Sequence, residues 1–257
     1  MKDKSKLVKK KIRDKTGKMT SVWVLPSKDV KQTKWKESPA DISAIEQSAN
    51  KWVKGLSDDQ KNALLSYKHE EYLDINDFLK GKLIKKEDGK LYRKKDLQYS
   101  AKINAQYKND GHTDWIHTPP AINEKIVEKY IKDIDTALAK STFPKDTTIY
   151  RGVRSGKKWI SDLGVGDIIE DSSFVSTSLD KDQADLFARD AMTGKVGEGA
   201  LFKIKAKKGQ KGGYLDVSGI HDMHQGEQEF LLPRNTQLEI ESIEKDGTTP
   251  VVTLKII

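Results

Sequence analysis

Residues 226–233 read Gly-Glu-Gln-Glu-Phe-Leu-Leu-Pro. A glycine opens this run and a proline closes it, which predicts a short strand over 227–232. Two carboxylates two residues apart on a strand share a face, with Cα atoms about 6.5–7 Å apart at roughly 3.3 Å per residue. Like charges at that separation are unfavourable where solvent is scarce, and a chain accepts that most readily at a functional site. A solvated Glu-x-Glu strand edge is the plainer alternative.

Working outward, further strand-like runs lie at 147–153 (TTIYRGV), 167–178 (DIIEDSSFVSTS), 199–205 (GALFKIK), 237–243 (QLEIESI) and 250–257 (PVVTLKII). One helix interrupts them, from Asp180 to about Met192. The first half has a helical period. Ser38-Pro39-Ala40-Asp41 reads as a helix start, followed by Ile42, Ile45, Ala49, Trp52 and Val53 at three- and four-residue steps. Ser57-Asp58-Asp59-Gln60 is a capping box that opens a helix carrying Ala63, Leu64, Leu65 and Tyr67. A shorter helix through Tyr72, Leu73, Ile75, Phe78 and Leu79 ends near Gly81. Residues 82–118 are polar and show no assignable period. Pro119-Pro120 then precedes a long amphipathic helix with the stripe Ile122, Ile126, Tyr130, Ile134 and Leu138, flanked by Val127 and Ile131. Helices first and strands second is the α+β pattern.

The 257 residues suffice for one large domain or two small ones. The absence of cysteine excludes disulfides, thiolate metal sites and a Cys nucleophile. No apolar run approaches the roughly 18–20 residues of a membrane span, and no apolar h-region follows the lysine-rich start, so no secretory signal is expected. Residues 1–36 hold twelve Lys and one Arg against Asp3, Asp14 and Asp29, a net +10. The chain totals +8, so the other 221 residues carry −2. We therefore divide the chain into a basic leader, 1–36, and a near-neutral domain, 37–257. The leader includes a strand-like run, Met19 to Leu25, which could form a small hairpin. A basic arm suits an anionic partner such as nucleic acid, an anionic membrane or an acidic protein; a solvated tail is the alternative.

Two more motifs lie in the strand-rich half. Tyr150-Arg151-Gly152 ends a strand run, and a guanidinium fork delivered to a strand edge matches phosphate, although a surface ion pair would look the same. In Phe174-Val175-Ser176-Thr177-Ser178, alternation sets Ser176 and Ser178 on one face and Thr177 on the other, as it also would in an ordinary edge strand. Together with Glu227 and Glu229, the order Arg, Ser-Thr-Ser, Glu-x-Glu resembles the arginine-directed mono-ADP-ribosyltransferases. The likeness is greatest to binary-toxin enzymatic components and to related exoenzyme domains of bacteria and phages. The spacing agrees, with 25 residues from Arg151 to Ser176 and 53 from Ser176 to Glu229. Tyr67, Tyr72, Ile75 and Asn76 form the family's YxxxxYxxIN pattern, and Phe187 fits its NAD-covering phenylalanine. The resemblance spans roughly residues 57–245.

The resemblance implies the ADP-ribosyltransferase fold. A mainly helical half, 38–140, would line one side of an NAD cleft, and two packed, mostly antiparallel sheets would flank it. It implies NAD+ as substrate and a target protein bearing an acceptor arginine as partner. Glu229 would stabilise the oxocarbenium-like transition state, Ser176 would orient Glu229, and Glu227 would prepare the acceptor guanidine. Arg151 would hold the NAD phosphates, and Gly152, lacking a Cβ, could let its backbone approach the nicotinamide amide. Tyr67, Tyr72, Asn76, Thr177, Ser178, Phe187 and Arg189 would complete the NAD site. The room between the two carboxylates implies inversion at the anomeric carbon. Departures concern phosphate binding and target docking. Lys80 stands where Arg is commoner, Gly152 where a second basic residue is frequent, and His224 where an aromatic residue is usual. Asp190 takes the most direct alignment of the further arginine for which Arg189 stands.

His69, His112, His117, His221 and His224 form no metal-ligand spacing, so no metal is expected. Two competing functions remain: an NAD glycohydrolase on the same fold, and a phage head-associated or nucleic-acid-binding protein with a transferase-like domain. The expected place of action is the cytoplasm of a target or infected cell, after secretion as a toxin or carriage in a virion.

Overall fold

Among the described residues, 42–138 are mainly helical and 147–256 mainly strand. The structure, a computed structural model, describes residues 8–13, 19–24, 42–154, 156, 160–188, 199–220, 226–246 and 249–257. In chain order the elements begin with strands β1 (Val8–Arg13) and β2 (Met19–Val24) and helices α1 (Ile42–Lys54), α2 (Asp58–Ser66) and α3 (Tyr72–Leu79). Next come β3 (Leu83–Lys85), β4 (Leu91–Arg93), α4 (Lys94–Asn109), α5 (Glu124–Leu138), β5 (Thr147–Val153), β6 (Ile168–Asp171) and β7 (Val175–Ser178). The chain ends with α6 (Lys181–Ala188), β8 (Ala200–Ala206), β9 (Gly213–Tyr214), β10 (Glu229–Leu232), β11 (Thr236–Asp246) and β12 (Thr249–Ile256). Two compact units divide the chain: Met1–Leu56 with Ala137–Ile257, and Ser57–Thr136.

In the unit 57–136, the capping box forms as written. The Ser57 amide donates to Gln60 Oε1 at 3.1 Å and the Gln60 amide to Ser57 Oγ at 3.3 Å. Tyr67–Glu71 forms a π-type turn with non-helical dihedrals at His69 (φ −78°, ψ −112°), and this turn separates α2 from α3. The unassigned stretch 82–118 contains a β3–β4 hairpin, turned at Gly89 (φ +76°), and the helix α4. Helix α5 starts from an Asn123 cap, whose Oδ1 accepts from the amides of Lys125 and Ile126 at 3.1 and 3.4 Å. Its buried stripe is Val127, Ile131, Ile134 and Leu138, while Ile126 is exposed. The expected stripe was therefore one position out of phase at Ile126 and Tyr130.

In the other unit, α1 buries Ile45, Ala49, Trp52 and Val53 as its spacing requires, and the Trp52 indole donates to Ala137 O at 2.9 Å. The expected helix start at 38–41 lies outside the described residues. β1 and β2 pair as an antiparallel hairpin. The remaining strands run β6-β11-β12-β8-β5-β7-β10-β9. Only the β12–β8 pairing among them is parallel. The expected pair of mostly antiparallel sheets corresponds to two ladders, β6-β11-β12-β8-β5 and β7-β10-β9, joined by one residue pair, Tyr150 with Ser178. The run 167–178 is two strands, because Asp171 Oδ1 accepts from the amide and hydroxyl of Ser173 at 3.0 and 2.7 Å and turns the chain between them. Phe143 and Phe230 stack with ring centroids 4.1 Å apart, both fully buried. Gly212 and Gly213 keep this core closed, since a Cβ there would meet the Phe230 and Trp52 rings at 2.6 and 2.5 Å.

Candidate active site

β7 and β10 pair antiparallel, with Ser178 opposite Glu229 and Ser176 opposite Leu231. Opposed residues share a face, so Ser176, Ser178 and Glu229 stand together on one side of the ladder. Ser176 reaches diagonally to Glu229, its Oγ donating to Oε1 at 2.6 Å. Glu229 is only 6% exposed. A buried carboxylate needs hydrogen-bond donors, and an O–H donor at this distance is a strong one. Thr177 faces the opposite side, where its Oγ1 donates to Phe230 O at 2.5 Å and ties the two strands.

Arg151 enters from β5. Its Nη1 donates to Ser176 O at 2.8 Å, which fixes the guanidinium against β7, close to the single pair that joins the ladders. Neighbouring Tyr150 is partly buried, which pushes its hydroxyl pKa upward; Lys181 opposes this. At Gly152 a Cβ would stand 2.0 Å from Ala184 O and 2.4 Å from the Ala188 amide nitrogen. The side of Gly152 that lacks a Cβ is thus filled by the backbone of α6. Gly199 receives the end of the same helix, since its Cβ would stand 1.8 Å from Ala188 O. Seated on these two glycines, α6 presents Phe187, which is 45% exposed. Arg189, His221 and His224 lie outside the described residues.

Glu227 requires a correction. β10 begins at Glu229, and Gln228 has φ +48°, so strand alternation does not set the direction of Glu227. A non-glycine residue in that region carries strain of order 1–3 kcal/mol and persists only where its surroundings enforce it. Here they do. Asp216 Oδ2 accepts from the amides of Gly226 and Gln228 at 3.0 and 3.1 Å. Ser178 Oγ donates to Glu227 O at 2.7 Å and accepts from the Asp180 amide at 2.9 Å. The Leu179 amide donates to Gln228 O at 3.0 Å. Asp216 was missed from sequence; its one signal is an aspartate just after the short run Gly213-Tyr214-Leu215, a residue type that caps turns.

The tyrosine–asparagine group belongs to the unit 57–136. Tyr67 is buried and Tyr72 is 42% exposed, with their rings edge to face at 6.3 Å. The Asn76 side-chain amide donates to Tyr67 OH at 3.0 Å, and its Oδ1 is buried and has no hydrogen-bond partner among the described residues. Asp74 and Asp77 of the same helix ion-pair with Arg93, which holds α3 to the β4–α4 junction. Burial pushes the Asp74 pKa up, against the lowering effect of Arg93. Among the described residues, no group of three or more His, Asp or Glu side chains is placed to hold a metal, and no helix is long and apolar enough to cross a membrane.

The family model for ADP-ribosyltransferase exoenzymes matches residues 45–255. The mono(ADP-ribosyl)transferase SpvB of Salmonella typhimurium is 28% identical over 207 residues, covering 77% of this chain and 29% of SpvB. The chain thus spans under a third of that relative's length. Among solved structures, the Clostridium limosum C3 exoenzyme superposes with a TM-score of 0.56 at 18% identity, covering 88% of this chain and 98% of the other. C3stau2 from S. aureus, solved with NAD, gives 0.55 at 17% identity, covering 88% and 99%. At these identities the superpositions speak for a shared fold.

Proposed function

The chain belongs to the ADP-ribosyltransferase exoenzyme family, and from that premise we propose that it cleaves NAD+ and transfers ADP-ribose to an arginine of a target protein, releasing nicotinamide. The carrying observation is the buried Glu229 carboxylate held at 2.6 Å by Ser176 Oγ. A fixed anion of this kind stabilises positive charge developing on the ribose without reorganising as the charge appears. As the C1′–nicotinamide bond breaks, its electron pair leaves with nicotinamide. A guanidine nitrogen of the acceptor bonds to C1′ from the opposite face and gives a proton to Glu227. A guanidinium, with a pKa above about 12, needs such a group to become nucleophilic.

Arg151, which already donates to Ser176 O, is suited to the NAD phosphates through the other donors of its fork. Phe187, which is 45% exposed, is assigned to the rest of the dinucleotide. Residues 37–257 are assigned as the catalytic domain and the basic residues 1–36 as an arm for an anionic partner. The test is nicotinamide release from NAD+, followed by mass spectrometry of labelled proteins. ADP-ribose on arginine is the expected result. A label on asparagine would overturn the acceptor assignment. Release that no protein or guanidine acceptor increases would make the chain a glycohydrolase.

A further inference from the structure

Glu227 is bracketed by two residues in the left-handed region, Gly226 at φ +95° and Gln228 at φ +48°. Glycine adopts such a φ freely and glutamine does not. The backbone amides of these same two residues converge on one oxygen, Asp216 Oδ2, at 3.0 and 3.1 Å. The Glu227 carbonyl between them accepts from Ser178 Oγ at 2.7 Å. The Glu227–Gln228 peptide unit and the amide of Gly226 are therefore held by side chains rather than by ladder pairing, which sets the backbone from which the Glu227 side chain departs. Glu229 does not depend on it, being held within β10 and by Ser176.

We propose that Asp216 is a positioning residue that aims Glu227 and so sets how cleaved ADP-ribose is shared between a guanidine acceptor and water. The proposal rests on the transfer reaction proposed above. In both outcomes the C1′–nicotinamide bond breaks and nicotinamide leaves with the electron pair. In transfer, a guanidine nitrogen bonds to C1′ and its proton goes to Glu227. In hydrolysis, water bonds to C1′ and its proton goes to solvent. A misdirected Glu227 fails only the first, because water needs far less activation than a charged guanidinium.

The experiment compares the full-length protein with Asp216→Ala and Asp216→Asn, using NAD+ and agmatine as a simple guanidine acceptor. Nicotinamide and ADP-ribosyl-agmatine are quantified separately, and hydrogen exchange is followed at the amides of residues 226–228. Asp216→Ala should lower agmatine transfer about tenfold or more, leave hydrolysis and KM for NAD+ within about threefold, and speed exchange at Gly226 and Gln228. Asp216→Asn keeps an acceptor oxygen at the same place and should recover most of the transfer and protection; it also serves if the alanine variant does not fold. Equal loss of transfer and hydrolysis, or an asparagine variant no better than alanine, would overturn the positioning role. Unchanged exchange would overturn the clamp even if the wild-type protein proved inactive on NAD+, an outcome that would count separately against the transfer reaction.

Discussion

Ser176 and Glu229 are not opposed in the β7–β10 register; they meet on its diagonal, with Oγ and Oε1 2.6 Å apart. A diagonal bond fixes the carboxylate along the strand as well as across it. Ser176 thus acts through Glu229, which sets up the first expectation.

Ser176→Ala should slow nicotinamide release by roughly ten- to a hundredfold, and Glu229→Gln by about 10²–10³, the range for loss of one electrostatic contact in a transition state. In the double variant the serine substitution should add little, because its partner is already gone. A double-mutant cycle on kcat decides this. Fully additive losses would separate Ser176 from Glu229 in function.

Glu227→Gln should divide the two outcomes of the reaction. On the proposed mechanism, it would leave the Glu229 anion intact and remove the group assigned to prepare the guanidine, so transfer should collapse while slow hydrolysis of NAD+ continues. Parallel assays with and without agmatine, on protein whose circular dichroism is unchanged, measure this. Equal loss of both activities would contradict the separate roles.

Gly152→Ala should disturb α6. The new Cβ would lie 2.0 Å from Ala184 O and 2.4 Å from the Ala188 amide nitrogen, backbone atoms that no rotamer change can move aside. A loss of about 1–3 kcal/mol or more is expected, read as a lowered Tm, together with weaker NAD+ binding by calorimetry as Phe187 shifts with the helix. Gly164 has open space around its missing Cβ, so Gly164→Ala should change neither.

Tyr214 should make the protein sensitive to strong alkali. Burial, with smaller contributions from the charges of Asp216 and Glu46, pushes its hydroxyl up to about 12 from 10.0. The fold prefers the neutral phenol, so this contribution is intact below pH 10 and is lost as pH rises from about 10 through about 12. Wild type should therefore lose up to about 2–3 kcal/mol more than Tyr214→Phe over that window, by urea unfolding at fixed pH values. Parallel curves for the two proteins would remove Tyr214 from the account.

Much of this was legible in the residues. Strands such as 147–153 could be read because their residues are β-branched or aromatic and bounded by breakers, and the sheet that covers them preserves that pattern. Arg151, Ser176 and Glu229 could be ordered because each sits on its own strand, β5, β7 and β10. Two of the features that escaped were carried by individual side-chain carboxylates. Asp171 splits the run 167–178 by capping a turn inside it. Asp216 enforces a left-handed Gln228 that no propensity announces, which took Glu227 off the strand face assumed for it. In α5 the apolar residues are dense enough to admit two phases, and packing rather than periodicity chose Val127 over Ile126.

The order of the strands also bears on how quickly the protein can become active. β6 and β7 are separated by three residues, yet they belong to different ladders; β6 pairs with β11 and β7 with β10. Among the described residues, β11 and β12 form a tight hairpin within this sheet, and β9 and β10 pair across a longer loop. Nearly every other pairing closes a long loop, and such topologies fold in milliseconds to seconds rather than microseconds. Ser176 and Glu229, 53 residues apart, meet only when one of those loops has closed. During refolding, the pairing of Ser176 with Glu229 is therefore expected to lag behind the formation of the helices and of the β11–β12 hairpin.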